Sequence, residues 1–130
     1  MEYNFKKFDS QHSRVEDRIT ITKSSYSVGF PTKFYKENGV KDYKYVVLFW
    51  DSENKAMGVH FSNNEQEKNK FTVLHSNQGY GGGVSIRSFF KVNEIDPQIY
   101  YGKYNWEKQQ LPGTGEIFVI KLKPHETSNK

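Results

Sequence analysis

Apolar and polar residues alternate in short blocks along most of the chain, and the period changes from block to block. Residues 18–22 (Arg-Ile-Thr-Ile-Thr) alternate at period two, which predicts a strand. Lys23-Ser24-Ser25 reads as a turn, and residues 26–30 (Tyr-Ser-Val-Gly-Phe) resume the alternation. Pro31 ends that strand. Thr32 is placed to cap a helix in which Phe34, Tyr35 and Asn38 follow helical spacing, and Asn38-Gly39 stops it after about two turns. The continuous apolar run 45–50 (Tyr-Val-Val-Leu-Phe-Trp) predicts a strand buried on both faces. A polar turn, 51–55, leads to a returning strand with Met57, Val59 and Phe61 on one face. Residues 62–70 are polar and read as a central linker.

A second series follows. Residues 71–74 predict a strand, 78–83 a flexible glycine turn and 84–86 a short strand. Ser88 is placed to cap a second short helix carrying Phe89, Phe90 and Val92, and Asp96-Pro97 ends or redirects it. Residues 100–104, the turn-rich stretch 111–115 and a final strand at 117–122 complete the order. Residues 1–17 read as an N-terminal arm and 123–130 as a polar tail.

The second series repeats the first. A shift of 55 positions sets Phe34 on Phe89, Tyr35 on Phe90, Lys36 on Lys91, Asn38 on Asn93, Val40 on Ile95 and Tyr45 on Tyr100, without a gap. The expected fold is therefore mainly β with two short helices. It forms one domain over 18–122, made of tandem strand–helix–hairpin repeats at 18–61 and 71–122. Each repeat alone has too small a core, so the two should pack about a pseudo-twofold axis as a β-barrel.

Composition agrees with this fold. Aromatic residues make up 16% of the 130 positions, with 10 Phe and 9 Tyr, and such side chains suit a pleated, half-buried surface. The absence of cysteine excludes disulfides, thiolate metal sites and cysteine nucleophiles. No apolar run approaches the length of a membrane helix, and the N-terminus lacks the apolar core of a signal peptide. The expected setting is cytoplasmic. The net charge of +4 is a mild basic bias that suits a nucleic-acid partner or an ordinary lysine-rich surface. It concentrates in residues 18–50, where six basic side chains face two acidic ones.

The segment from Val28-Gly29-Phe30-Pro31 to Phe61 resembles the AbrB/MazE/SpoVT swapped-hairpin family. The matching residues are Phe30-Pro31, Phe34, Gly39-Val40, the strand 45–50 and its return at 57–61. In the second half Ile86-Arg87 stands for the apolar–Pro pair and Glu94-Ile95 for Gly–Val. Two such units in one chain are similar to the MraZ branch, whose Asp-x-x-x-Arg motif is absent here. The resemblance implies a DNA-binding transcriptional regulator or antitoxin, acting as a monomeric pseudo-dimer or a homo-oligomer. The positions matching the family's DNA-facing region are Arg18, Lys23, Lys33 and Lys36 in the first unit, and His75, Arg87 and Lys91 in the second. Lysines stand where the family usually has arginines, which favours phosphate contact over base readout.

The candidate nucleic-acid site is therefore Arg18, Lys23, Lys33, Lys36, Arg87 and Lys91, and the expected partner is duplex DNA. Tyr26, Tyr80 and Tyr104 are candidates for base stacking or for covering a sheet. The glycine loop lacks the Gly-Lys-Ser/Thr ending of a phosphate-binding P-loop. His12, His60, His75 and His125 have no metal-ligand spacing, and no carboxylate pair is set for acid–base work. No enzyme, cofactor or metal is expected. The rival reading is a non-enzymatic protein-binding module or inhibitor that uses the aromatic surface, and an RNA-directed hydrolase is the third.

Overall fold

The computed structural model describes residues 2–5 and 16–125. Among these the chain forms nine strands and three short α-helices. In order they are β1 (Ile19–Ile21), β2 (Ser27–Phe30), α1 (Thr32–Glu37), β3 (Tyr45–Asp51), β4 (Ala56–Ser62), β5 (Phe71–His75), β6 (Gly82–Ser85), α2 (Arg87–Val92), α3 (Pro97–Tyr100), β7 (Gly102–Tyr104), β8 (Glu107–Leu111) and β9 (Gly115–Lys121).

All strand pairings are antiparallel. Two five-stranded sheets share β5: one runs β7-β1-β2-β6-β5 and the other β5-β3-β4-β9-β8. Alternation along the strands decides which side chains turn inward. On one face of the second sheet Val46, Met57, Val59, Phe61, Phe118 and Ile120 are buried. The helices are too short to persist alone and are held by the aromatic residues they bury. Phe34 of α1 is fully buried, and its ring lies 5.0 Å from Phe118, 5.3 Å from Trp106 and 5.6 Å from Phe30.

The numbering of the elements has a regularity. Adding 55 to the bounds of β2 and α1 gives the bounds of β6 and α2. The β2–β6 register pairs Ser27 with Ser85 and Phe30 with Gly82, so the 55-residue shift maps this pairing onto itself. The helix ends agree as well. The Asn38 side chain donates to the Phe34 carbonyl at 3.0 Å, and the Asn93 side chain to the Phe89 carbonyl at 2.9 Å. Gly39 and Glu94 follow with φ of 63° and 58°.

Several expectations need correction. Asp96-Pro97 starts a helix rather than ending one: Asp96 accepts the Gln98 N–H at 2.9 Å and Pro97 takes the first helical position. The helices α1 and α2 have no side-chain cap. Thr32 donates instead to the Tyr80 carbonyl, and Ser88 lies inside α2. The strand β3 is not buried on both faces. β5 pairs with it only at Tyr45 and Val46, and residues 47–50 are half-buried. Gly82 and Gly83 belong to strand β6 rather than to a flexible turn. A Cβ on Gly83 would come within 3.0 Å of the Val28 carbonyl, so glycine lets β2 and β6 approach. The segment 107–111, whose polar sequence predicts no element, is strand β8.

The connection 63–70 is tied to the first half. The Asn63 side chain accepts from Lys44 N and donates to the Asp42 carbonyl, and Lys70 donates to the carbonyls of Glu65 and Glu67. Most of the arm assigned to 1–17 lies outside the described residues. Its last part is docked, because the Trp106 indole donates to the Asp17 carbonyl at 2.8 Å. The start of the tail is held too: Tyr104 Oη lies 3.0 Å from the Lys123 carbonyl, and the His125 amide donates to the Ile99 carbonyl. Residues 126–130 lie outside the described residues.

Candidate nucleic-acid interface

The interface is built on the turn between β1 and β2. Three hydroxyls lock this turn: Thr22 Oγ1 lies 2.6 Å from Ser25 Oγ and 2.9 Å from Ser27 Oγ, and the two serines are 2.8 Å apart. Short hydroxyl side chains favour such local bonds, which is why Ser and Thr cluster in turns. The turn leaves Tyr26 in the left-handed region at φ 53°. Its carbonyl accepts the Ile86 N–H at 2.9 Å and so ties the turn to the start of α2.

Tyr26 then serves as a platform. Arg87 and Lys91 stand one helical turn apart on α2 and share a face. Arg87 Cζ lies 4.8 Å from the Tyr26 ring centre and Lys91 Nζ 5.3 Å. The attraction of each cation for the ring offsets the repulsion between two like charges so placed. At the other side of the turn Lys23 Nζ lies 5.1 Å from the Tyr101 ring. His125 stacks on the same ring at 4.0 Å.

An open groove of about 570 Å³ continues from Tyr101, lined by Arg18, Lys103, Lys123 and His125. Lys103 reaches this place because β7 pairs with β1, setting Lys103 opposite Thr20. Glu16 draws two of these cations together. It accepts from Arg18 Nε at 2.8 Å and Nη2 at 2.9 Å, and Lys103 Nζ lies 3.4 Å away. Hydrogen bonds from the Arg18 side chain, then from its backbone, hold the Glu16 carboxyl at a pKa of about 2. Arg18 is therefore partly neutralised. Glu94 and Asp96 share a shallow pocket with Lys91 and temper the charge there.

Of the six predicted residues, the structure brings Lys23, Arg87 and Lys91 around the β1–β2 turn, whereas Arg18 stands at the far end of β1, in the groove with Lys103 and Lys123. It does not bring Lys33 and Lys36 there. They stand on α1, which leaves β2 at the end opposite to that turn. At that opposite end the β5–β6 turn carries no cation. His75 serves a packing role: Tyr35 Oη lies 2.7 Å from its Nδ1, and its Nε2 donates to the Tyr43 carbonyl at 2.9 Å. The tyrosines Tyr26 and Tyr101 each hold cations near the ring. Tyr104 is buried, and its hydroxyl donates to the Tyr100 carbonyl. Sequence reasoning missed Lys103, Lys123 and His125: Lys103 lies far in sequence from the other two and meets them only through the β1–β7 pairing and the docked C-terminal segment.

Among the described residues no three His, Asp or Glu side chains gather as metal ligands would, and no helix is long and apolar enough to cross a membrane. No protein-family model, curated protein or solved structure matches the chain.

Proposed function

We propose that this protein binds nucleic acid through its phosphate backbone, with the β1–β2 turn and α2 as the contact surface. The observation that carries the reading is the pair of tyrosine platforms, Tyr26 and Tyr101, which hold Arg87, Lys91 and Lys23 on either side of one locked turn. Long cationic side chains lose rotamer freedom when they bind, and a ring that already positions them lowers that cost. The cations held at these rings favour phosphate contact over base stacking, so the preferred ligand is duplex rather than single strand. Phosphate contact by a few lysines and arginines gives weak sequence preference and steep salt dependence.

The same reading takes the two halves as one duplicated strand–helix–hairpin unit, arranged like the swapped-hairpin DNA-binding proteins. Support comes from the self-mapping β2–β6 register and from the matching Asn38 and Asn93 bonds. The strand order ends on β7 and β8, which only Asn105 and Trp106 separate along the chain, and this supports closure into a barrel. The unit is asymmetric in charge, so duplex contact is expected at one end of the β2–β6 pair. A fluorescence titration of mixed-sequence duplex at increasing salt tests the function. Binding at low salt that weakens linearly on log–log axes is expected, and no binding at low salt overturns the proposal.

A further inference from the structure

Two tryptophan–phenylalanine pairs occupy corresponding places in the two halves, and only one of them is covered. Trp106 meets Phe34 of α1 edge-on at 5.3 Å, and Trp50 meets Phe89 of α2 edge-on at 6.4 Å. At the first pair the Asp17 carbonyl, just before β1, accepts the Trp106 indole N–H. At the second pair the residues leading into β5 turn away at Asn69, whose φ is 59°, and Lys70 is drawn back to the carbonyls of Glu65 and Glu67. The Trp50 indole has no hydrogen-bond partner among the described residues. An open groove of about 660 Å³ remains, with Leu48, Trp50 and Phe71 on one side and Phe89 and Val92 on the other. Val92 is 79% exposed. The β5-side edge of β3 is unpaired beyond Val46. An edge strand beside a helix, with apolar pockets between them, accepts an added strand by main-chain bonds and alternate side chains.

The chain also presents a segment of that form. Residues 2–5 read Glu-Tyr-Asn-Phe, with aromatic residues at alternate positions. Tyr3 is 70% and Phe5 87% exposed, and their rings contact each other at 5.5 Å. The single chain leaves them unseated. We infer that residues 2–5 of a second copy of this chain dock in the Trp50–Phe89 groove as an added strand on β3, and that the exchange is reciprocal. Tyr3 and Phe5 fill the apolar pockets, and a backbone carbonyl of the segment takes the Trp50 indole N–H as Asp17 takes that of Trp106. Four exchanged aromatic side chains of about 150–250 Å² each, with the groove surface they cover, reach the lower range of stable interfaces, about 1,200 Å². A closed but weak twofold dimer follows.

Sedimentation and the two tryptophan indole N–H resonances test this on the full chain. The dimer fraction should rise with protein concentration, and the Trp50 indole resonance should move with it while that of Trp106 stays fixed. The double substitution Tyr3→Ser and Phe5→Ser should abolish both changes. A synthetic peptide of residues 1–8 added to that variant should restore the Trp50 shift. Substituting Val92→Glu on the groove wall should weaken peptide binding at least tenfold. A wild-type chain that stays monomeric, with a Trp50 resonance that neither concentration nor peptide moves, overturns the inference. A Trp50 shift between wild type and double variant that is independent of concentration overturns it as well, because the segment then docks within its own chain.

Discussion

The two ends of the β2–β6 pair share a backbone and differ in what they carry. At one end a serine- and threonine-locked turn sets Tyr26 beneath Arg87 and Lys91. At the other a glycine-rich turn lets strands approach closely, and His75 ties β5 to Tyr35 and to the Tyr43 carbonyl. The first arrangement positions charge, and the second secures packing. The helices differ in the same way. Phe34 sits among Phe30, Phe118 and Trp106 without exposure, whereas Phe89 is half-buried against Trp50. Of these two positions 55 residues apart, one lies in the core and the other near the surface.

The sharpest way to break this comparison is to truncate both phenylalanines. Phe34→Ala should cost about 3–5 kcal/mol, the range for a fully buried aromatic side chain. Phe89→Ala should cost about 1 kcal/mol, since less surface leaves water. Chemical denaturation of the two variants checks the difference, and equal losses would show that the halves are packed alike. A smaller contrast lies in the glycines. Gly81 has φ 152°, and a Cβ there would stand 2.9 Å from the Phe30 carbonyl. Gly81→Ala should therefore destabilise by about 2–3 kcal/mol. Gly29, whose nearest Cβ neighbour is Thr20 at 3.9 Å, should accept alanine at a loss under about 1 kcal/mol.

Acid should act through Glu16. Its folded-state pKa of about 2 lies below the ordinary value of 4.5, because Arg18 and Lys103 bind the carboxylate. A depressed pKa gives stability that is full above about pH 4.5 and is lost as pH falls toward 2. The Glu16→Gln variant should lose less stability than wild type across that window, as thermal melts at stepped pH would show. The same variant frees Arg18 and Lys103, so duplex affinity at neutral pH should rise.

Much of the first half was legible because its strands bury one face and its helix ends in Asn-Gly. The β8 strand was not, because Glu107, Lys108, Gln109 and Gln110 are all exposed and leave no apolar alternation to read. The third helix carried a usable signal in Asp96-Pro97, which also fits a helix stop, and only the hydrogen bond to Gln98 distinguishes the two. β4 pairs with all seven residues of β3 but β5 with only two, and an apolar run cannot report which of its neighbours is missing. At the candidate site Lys36 and Lys91 match in sequence, yet they stand at opposite ends of β2–β6 because that pair is antiparallel. Lys103 and Lys123 join the basic cluster through contacts distant in sequence, which local pattern does not contain.

The most direct test of the account compares two double variants, Arg87→Ala with Lys91→Ala and Lys33→Ala with Lys36→Ala, in duplex titrations across salt. Loss of two phosphate contacts should lower the log–log salt slope by about 1.8 in the α2 variant, with affinity reduced at least tenfold at low salt, while the α1 variant keeps the wild-type slope. A slope that falls in the α1 variant and stays unchanged in the α2 variant contradicts the account.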